Sequence, residues 1–208
     1  MLAGLHTQCT AFEGARCIAA GELTEVALKA KAAADRGEQV LIFDDSTSEA
    51  IEVDFRGTAE DVLQRLTRAD GPQAASVPDT PRGPGRPKLG VVAREVTLLP
   101  RHWDWLNAQP GGASVALRKL VEEARRTNAG KDRVRQSQEA AYRFMSAMAG
   151  NRAGFEEATR ALFAGKRERF EQLTERWPRD IRDHVRKLAA TALEHAATDH
   201  HAAEQNAS

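Results

Sequence analysis

The stretch QCTAFEGARCIAAGELTEVALKAKAAADRGEQVLIFDD, residues 8–45, decides the fold class, because its apolar pattern changes period twice. CTAFEG (9–14) and ARCIAAG (15–21) predict a β-hairpin closed by a two-residue turn at Glu13-Gly14. LTEVALKAKAAADRG (23–37) follows with helical spacing and predicts a helix that stops at Gly37. QVLIFDD (39–45) and AIEVDFRG (50–57) are short apolar or alternating runs, and predict two further strands joined by the polar turn Ser46-Thr47-Ser48-Glu49. Thr58 then caps a helix AEDVLQRL (59–66), with Glu60 and Asp61 in its first turn. The predicted order is ββαββα, a small acidic α+β domain over residues 1–70.

The hairpin register sets the expectation for the two cysteines. It places Cys17 opposite Thr10 and Cys9 opposite Ile18, so the sulfurs lie on different faces and out of register. Both are read as half-buried strand residues rather than a bridge. Hydrophobic residues make up 41% of the chain and charged residues 29%, a globular balance, but aromatics are only 5%. Ala and Leu must therefore carry most of the packing, which points to closely packed helices outside the first domain. No run approaches the roughly 18 apolar residues of a membrane span, and the start of the chain lacks a basic, apolar leader. The expected location is the cytoplasm, without a membrane partner.

Beyond the first domain, DGPQAASVPDTPRGPGRPKLG (70–90) is dense in Pro and Gly and cannot hold a helix or a central strand. Residues 71–90 are read as a basic, extended linker. Residues 91–128 hold a short strand candidate, VVAREVTL (91–98), a helix PRHWDWLNAQ (100–109) with Pro100 in its first turn, a Pro-Gly-Gly break and a helix opening at Ser114. On that last helix Leu117, Leu120, Val121 and Ala124 share one side, while Arg118, Lys119, Arg125 and Arg126 form the other, partly paired to Glu122 and Glu123. Residues 129–197 are read as a bundle of four helical pieces punctuated by Gly150, Gly165 and Pro178, with apolar seams through Phe144, Leu162, Phe170, Ile181 and Val185. Residues 198–208 are read as a disordered tail.

Formal net charge is zero, yet it is unevenly distributed. Residues 1–70 carry 7 Lys/Arg against 13 Asp/Glu, residues 71–135 carry 12 against 6, and residues 136–208 carry 11 against 11. The basic middle is where a polyanion would bind.

VVAREVTLLPRHWDWLNAQPGGASVALRKLVEEARR (91–126) resembles the ribbon-helix-helix family, in which a strand precedes two helices separated by a glycine-containing turn. The resemblance implies a dimer whose paired strands enter the major groove of DNA, with the backbone N–H groups at Gly112, Ala113 and Ser114 offered to a phosphate. Alternation puts Val92, Arg94, Val96 and Leu98 on one face of the strand and Ala93, Glu95 and Thr97 on the other, so Glu95 faces the polyanion. Just upstream, PRGPGRPK (81–88) resembles an AT-hook, which lies along the narrow minor groove, although Pro84 stands where the first core Arg belongs. The nucleic-acid-binding residues expected on this reading are Arg82, Arg86, Lys88, Arg94, Thr97, Gly112, Ser114, Arg118 and Lys119.

Other clusters point less far. Asp44, Asp45, Glu49, Glu52 and Asp54 lack the spacing of a calcium loop and are read as turn and edge charges. His195, Asp199, His200 and His201 sit at a fraying end. Trp103 and Leu106 share a helix side and are read as core or dimer interface, with Trp105 partly exposed. No phosphate loop, dinucleotide fingerprint, nucleophile elbow or zinc-protease helix is present, so no catalytic residue, cofactor, metal or small-molecule ligand is expected.

The blocks LIFDDST (41–47), VAREVTLLPRHWDWL (92–106), GGASVALRKLVEEAR (111–125), QEAAYRFMSAMAG (138–150) and GFEEATRALFAG (154–165) resemble a bacterial family known only as domain of unknown function 2239. Taken together, the sequence predicts a dimeric DNA-binding protein of regulatory type, with double-stranded DNA and a second copy as partners. The alternative is an interaction or scaffold protein that binds no nucleic acid.

Overall fold

The computed structural model describes residues 4–70, 92 and 94–205, and their side chains except at 69, 70 and 195–205. The elements are β1 (Gln8–Glu13), β2 (Arg16–Glu22), α1 (Leu23–Ala34), β3 (Val40–Asp44), α2 (Ala59–Asp70), α3 (Pro100–Asn107), α4 (Gly112–Ala149), α5 (Phe155–Phe163), α6 (Arg167–Thr174) and α7 (Arg179–Gln205). The class is α+β, as expected. The chain divides into two compact units, one of Met1–Gln73 with Lys131–Ser208 and the other of Ala74–Gly130.

In the first unit the three strands form an antiparallel sheet of order β2-β1-β3. The central strand is covered on both faces, and its alternating side chains go to different neighbours. Cys9 and Ala11 pack with Leu23, Val26 and Ala30 of α1. Phe12 points the other way, into a core with Phe43 of β3, Phe144 and Met145 of α4, and Ile181 and Val185 of α7. Phe12, Phe43 and Phe144 form the aromatic centre, with ring centroids 5.2–6.3 Å apart. The segments set apart by sequence as residues 1–70 and 129–197 thus meet in one hydrophobic core.

Several details differ from expectation. The ββαββα order lacks its fourth strand: residues 51–56 leave the sheet after an isolated bridge between Phe43 and Ala50 and a hydrogen bond from Ile51 N to Ile42 O. Side chains satisfy this segment's carbonyls in place of a neighbouring strand. Arg65 donates to the oxygens of Asp54 and Arg56, and Lys31 Nζ donates to the oxygen of Phe55 at 3.2 Å. Secondly, the hairpin turns at Gly14-Ala15, with Gly14 at φ +57°, and a bulge follows between Ala11 and Phe12. Cys17 therefore faces Phe12, and Cys9 faces Gly21; both thiols are free. Thirdly, Gly130 does not end a helix, because α4 runs unbroken from Gly112 to Ala149. A single interior Gly costs about 1 kcal/mol relative to Ala, too little to stop a helix whose neighbours favour it.

Elsewhere the punctuation holds. Gly150 follows α4, Gly165 separates α5 from α6, and Pro178 precedes α7. Thr58 and Asp61 form a reciprocal cap on α2: Thr58 N donates to Asp61 Oδ2 at 2.8 Å and Asp61 N to Thr58 Oγ1 at 3.2 Å. Of the helices described, none is long and apolar enough to cross a membrane.

Candidate nucleic-acid interface

The unit Ala74–Gly130 is built around the reversal from α3 to α4. Leu99 is extended (φ −67°, ψ 150°) and Pro100 opens α3, where the ring's fixed φ suits the first helical position and its missing N–H costs nothing. Gly111 (φ +87°) and Gly112 (φ +73°) turn the chain in the left-handed region. At Gly111 an added Cβ would also meet the Val115 side chain at 3.1 Å. Leu106 and Ala116 are buried, and Trp103 is half-buried with them, while Trp105 is exposed. The burial of Leu106 and the exposure of Trp105 match the positions expected for them.

The second helix opens two residues earlier than expected, at Gly112 rather than Ser114. The turn explains the shift: Gly112 N donates back to Gln109 O at 2.9 Å and starts the coil before Ser114. Ser114 is consequently an exposed first-turn residue, not a cap, and its carbonyl accepts Arg118 Nε at 3.0 Å. Among the described residues, the amides of Ala113 and Ser114 have no hydrogen-bond acceptor, as is usual for a helix start.

From Arg118 onward α4 has two contrasting sides. Arg118 and Lys119 are exposed, and neither has a carboxylate partner among the described residues. Arg125 and Arg126 extend the same side and share Glu122 at 3.4 and 3.7 Å. Such exposed, long pairs are worth less than about 1 kcal/mol and leave most of the positive potential in place. Leu120, 48% exposed, lies across the helix from Arg118, and Val121, 63% exposed, lies across from Lys119 and beside Arg118 and Arg125. Apolar area of this kind on a single helix face is what a partner surface removes from water.

The strand expected at VVAREVTL is not formed among the described residues, because a strand exists only through its ladder and nothing pairs with this one. Val92, Arg94, Glu95, Val96 and Thr97 are exposed and Leu98 is half-buried. Arg94, Thr97, Gly112, Ser114, Arg118 and Lys119 thus fall in one unit, while Arg82, Arg86 and Lys88, with the AT-hook-like motif, lie outside the described residues.

Asp44 and Asp54 have structural uses. Asp44 Oδ1 accepts Ser46 N, Ser46 Oγ and Thr47 N, closing the turn after β3, and these bonds lower its pKa against the opposing effect of burial. Asp54 is held well below the usual carboxylate range by its hydrogen bonds to Arg56. Among the described residues no group of His, Cys, Asp and Glu is arranged to hold a metal, and the side chains of His195, Asp199, His200 and His201 are not among them. Burial pushes the Cys9 thiol up to about 12, with Asp45 and Asp44 adding to the effect, and Cys17 is raised by burial and by Asp180. Both thiols are held in the protonated, weakly nucleophilic form.

A family model described as "Uncharacterized protein conserved in bacteria (DUF2239)" matches residues 8–189. No curated protein and no solved structure matches the chain.

Proposed function

The chain belongs to this uncharacterised bacterial family, and on that premise we propose that it is a dimeric DNA-binding protein of regulatory type. Its contact module is the unit Ala74–Gly130. The observation that carries the reading is the presence on α4 of exposed apolar side chains, Leu120 and Val121, together with an arc of cations, Arg118, Lys119, Arg125 and Arg126, whose centre lies across the helix from Leu120. A second copy would bury the apolar side chains and leave the cations facing outward. Residues 92 and 94–99 support the same arrangement, since among the described residues their backbone has no strand partner and the side chains of Val92 and Val96 are exposed, available to a ribbon formed between two copies in the ribbon-helix-helix manner.

In such a dimer Arg94, Arg118 and Lys119 contact phosphates, Thr97 offers a hydroxyl to the groove, and the amides of Ala113 and Ser114 donate to a phosphate at the start of α4, the Gly112 amide being taken by Gln109 O. Arg82, Arg86 and Lys88 serve as an arm in an A·T-rich minor groove. Glu95 opposes phosphate, so affinity comes mainly from the backbone contacts.

The test is the mass of the full chain in solution by light scattering, with and without an A·T-rich duplex. The reading predicts twice the chain mass alone and a complex of one dimer per duplex. A monomer that forms no complex contradicts it, and a dimer indifferent to DNA favours the interaction-protein alternative, which the exposed Leu120 and Val121 also fit.

A further inference from the structure

A cleft of about 290 Å³ opens in the unit formed by 1–73 and 131–208, where the turn after β3, the second half of α4 and the middle of α7 converge. Its polar lining is Asp45, Ser46, Arg133, Gln136, Ser137, Lys187 and Thr191, of which Ser46 gives its hydroxyl to Asp44 Oδ1. We propose that this cleft binds a small oxyanion, the phosphate or carboxylate group of a metabolite-sized ligand, through Arg133 and Lys187.

The donors and acceptors of the cleft do not balance. Both oxygens of Asp45 are engaged, Oδ1 by the Thr10 hydroxyl at 2.6 Å and Oδ2 by Lys187 Nζ at 2.8 Å. The Ser137 hydroxyl is also committed, since it donates to Leu188 O at 2.6 Å and accepts Ala192 N at 3.2 Å. What remains is donor-rich. The Arg133 guanidinium, the Gln136 amide and the Thr191 hydroxyl have no hydrogen-bond partner among the described residues, and Lys187 retains two further N–H donors. Two cations face one carboxylate, so the cleft is positive, and the unengaged N–H donors of Arg133, Lys187 and Gln136 outnumber the free acceptor oxygens of Gln136 and Thr191. An oxyanion brings the missing charge and acceptors, whereas a cation meets repulsion.

Among the arginines of this unit without an ion pair among the described residues, which include Arg152, Arg169 and Arg176, Arg133 is the one that lines the cleft. Arg135, two residues on, pairs with Asp132 and Glu139; Arg167 pairs with Glu171 and Arg182 with Glu175. Arg133 has no ion pair among the described residues, and its planar fork suits bidentate contact with a phosphate or carboxylate. The volume sits at the lower end of the roughly 300–1,000 Å³ of small-molecule sites, enough for the charged head of a small ligand.

The experiment is thermal unfolding of the full chain in about 10 mM inorganic phosphate, and separately in acetate, against chloride at matched ionic strength. The proposal predicts a saturable rise in Tm of about 3 °C in at least one of the two, with phosphate alone assigning a phosphoryl ligand and acetate alone a carboxylate. It also predicts that R133Q weakens the response about 10-fold or more while leaving the circular dichroism unchanged. Thr191→Ala, on α7, should weaken it by a smaller factor. No rise beyond chloride in either salt, or an equal rise in wild type and both variants, overturns the proposal. Neither result depends on whether Ala74–Gly130 binds DNA.

Discussion

The carboxylate of Asp180 accepts the backbone N–H of Cys17 at 2.8 Å, a hydrogen bond that spans 163 residues of sequence. Cys17 lies on β2, an edge strand whose free amides need partners from outside the sheet. The first turn of α7 supplies one and fastens the sheet to the helices. Asp180→Ala should lower stability by about 1–3 kcal/mol in urea unfolding, because it strands a half-buried amide, and Asp180→Asn should lose less because an acceptor remains. Equal stability of wild type and the Ala variant would show that the bond does not hold the halves together.

His184 lies against Phe144 and Phe12, with ring centroids at 4.5 and 5.4 Å, and its buried Nε2 has no partner among the described residues. Burial pushes its pKa down; Lys187 adds to the depression and Asp45 opposes it. Unfolded, an ordinary histidine takes up a proton near pH 6.5. Between that value and the lower folded pKa the unfolded chain binds more protons, so this contribution is complete above about pH 6.5 and is lost as the pH falls below it. His184→Leu should flatten the decline between about pH 6.5 and 5, measured by urea midpoints across that range. An unchanged slope in the variant would assign the decline to other groups.

The reciprocal cap between Thr58 and Asp61 is an exposed, local device, so its removal should be modest and confined to α2. Thr58→Ala should cost about 1 kcal/mol, read by denaturation, with faster hydrogen exchange in the first turn of that helix. A loss of several kcal/mol would mean that Thr58 has a further role.

Leu120 and Val121 are exposed within the single chain, so charging them should leave the folded protomer intact. Leu120→Glu with Val121→Glu should change thermal stability at high dilution by less than about 0.5 kcal/mol each, yet shift the light-scattering mass from dimer to monomer. Retention of the dimer in the double variant would place the interface elsewhere.

Much of the fold is written in local signals. Gly37, Gly150, Gly165 and Pro178 mark helix ends that the structure respects, and Thr58 caps the helix that it precedes. What is not local is not legible. The run Ile51–Phe55 looks like a strand because nothing near it reveals that Arg65 and Lys31 will take its carbonyls. The meeting of sheet and helices rests on pairs such as Cys17 with Asp180 and Asp45 with Lys187, far apart in sequence and without a motif. For the same reason the cleft around Arg133 is invisible in the sequence, where Arg133 is one cation in a basic stretch. On the candidate interface, by contrast, the arrangement of α4 follows from helical spacing alone, since on any straight helix Leu120 lies across from Arg118 and Val121 across from Lys119.

The central claim, that this basic module engages DNA, is tested most directly by titrating labelled A·T-rich duplex with the full chain at several salt concentrations. About six phosphate contacts predict log affinity falling against log salt with a slope near −5, and Arg118→Ala with Lys119→Ala should reduce that slope by about 2. An absence of binding at about 50 mM salt would contradict the account.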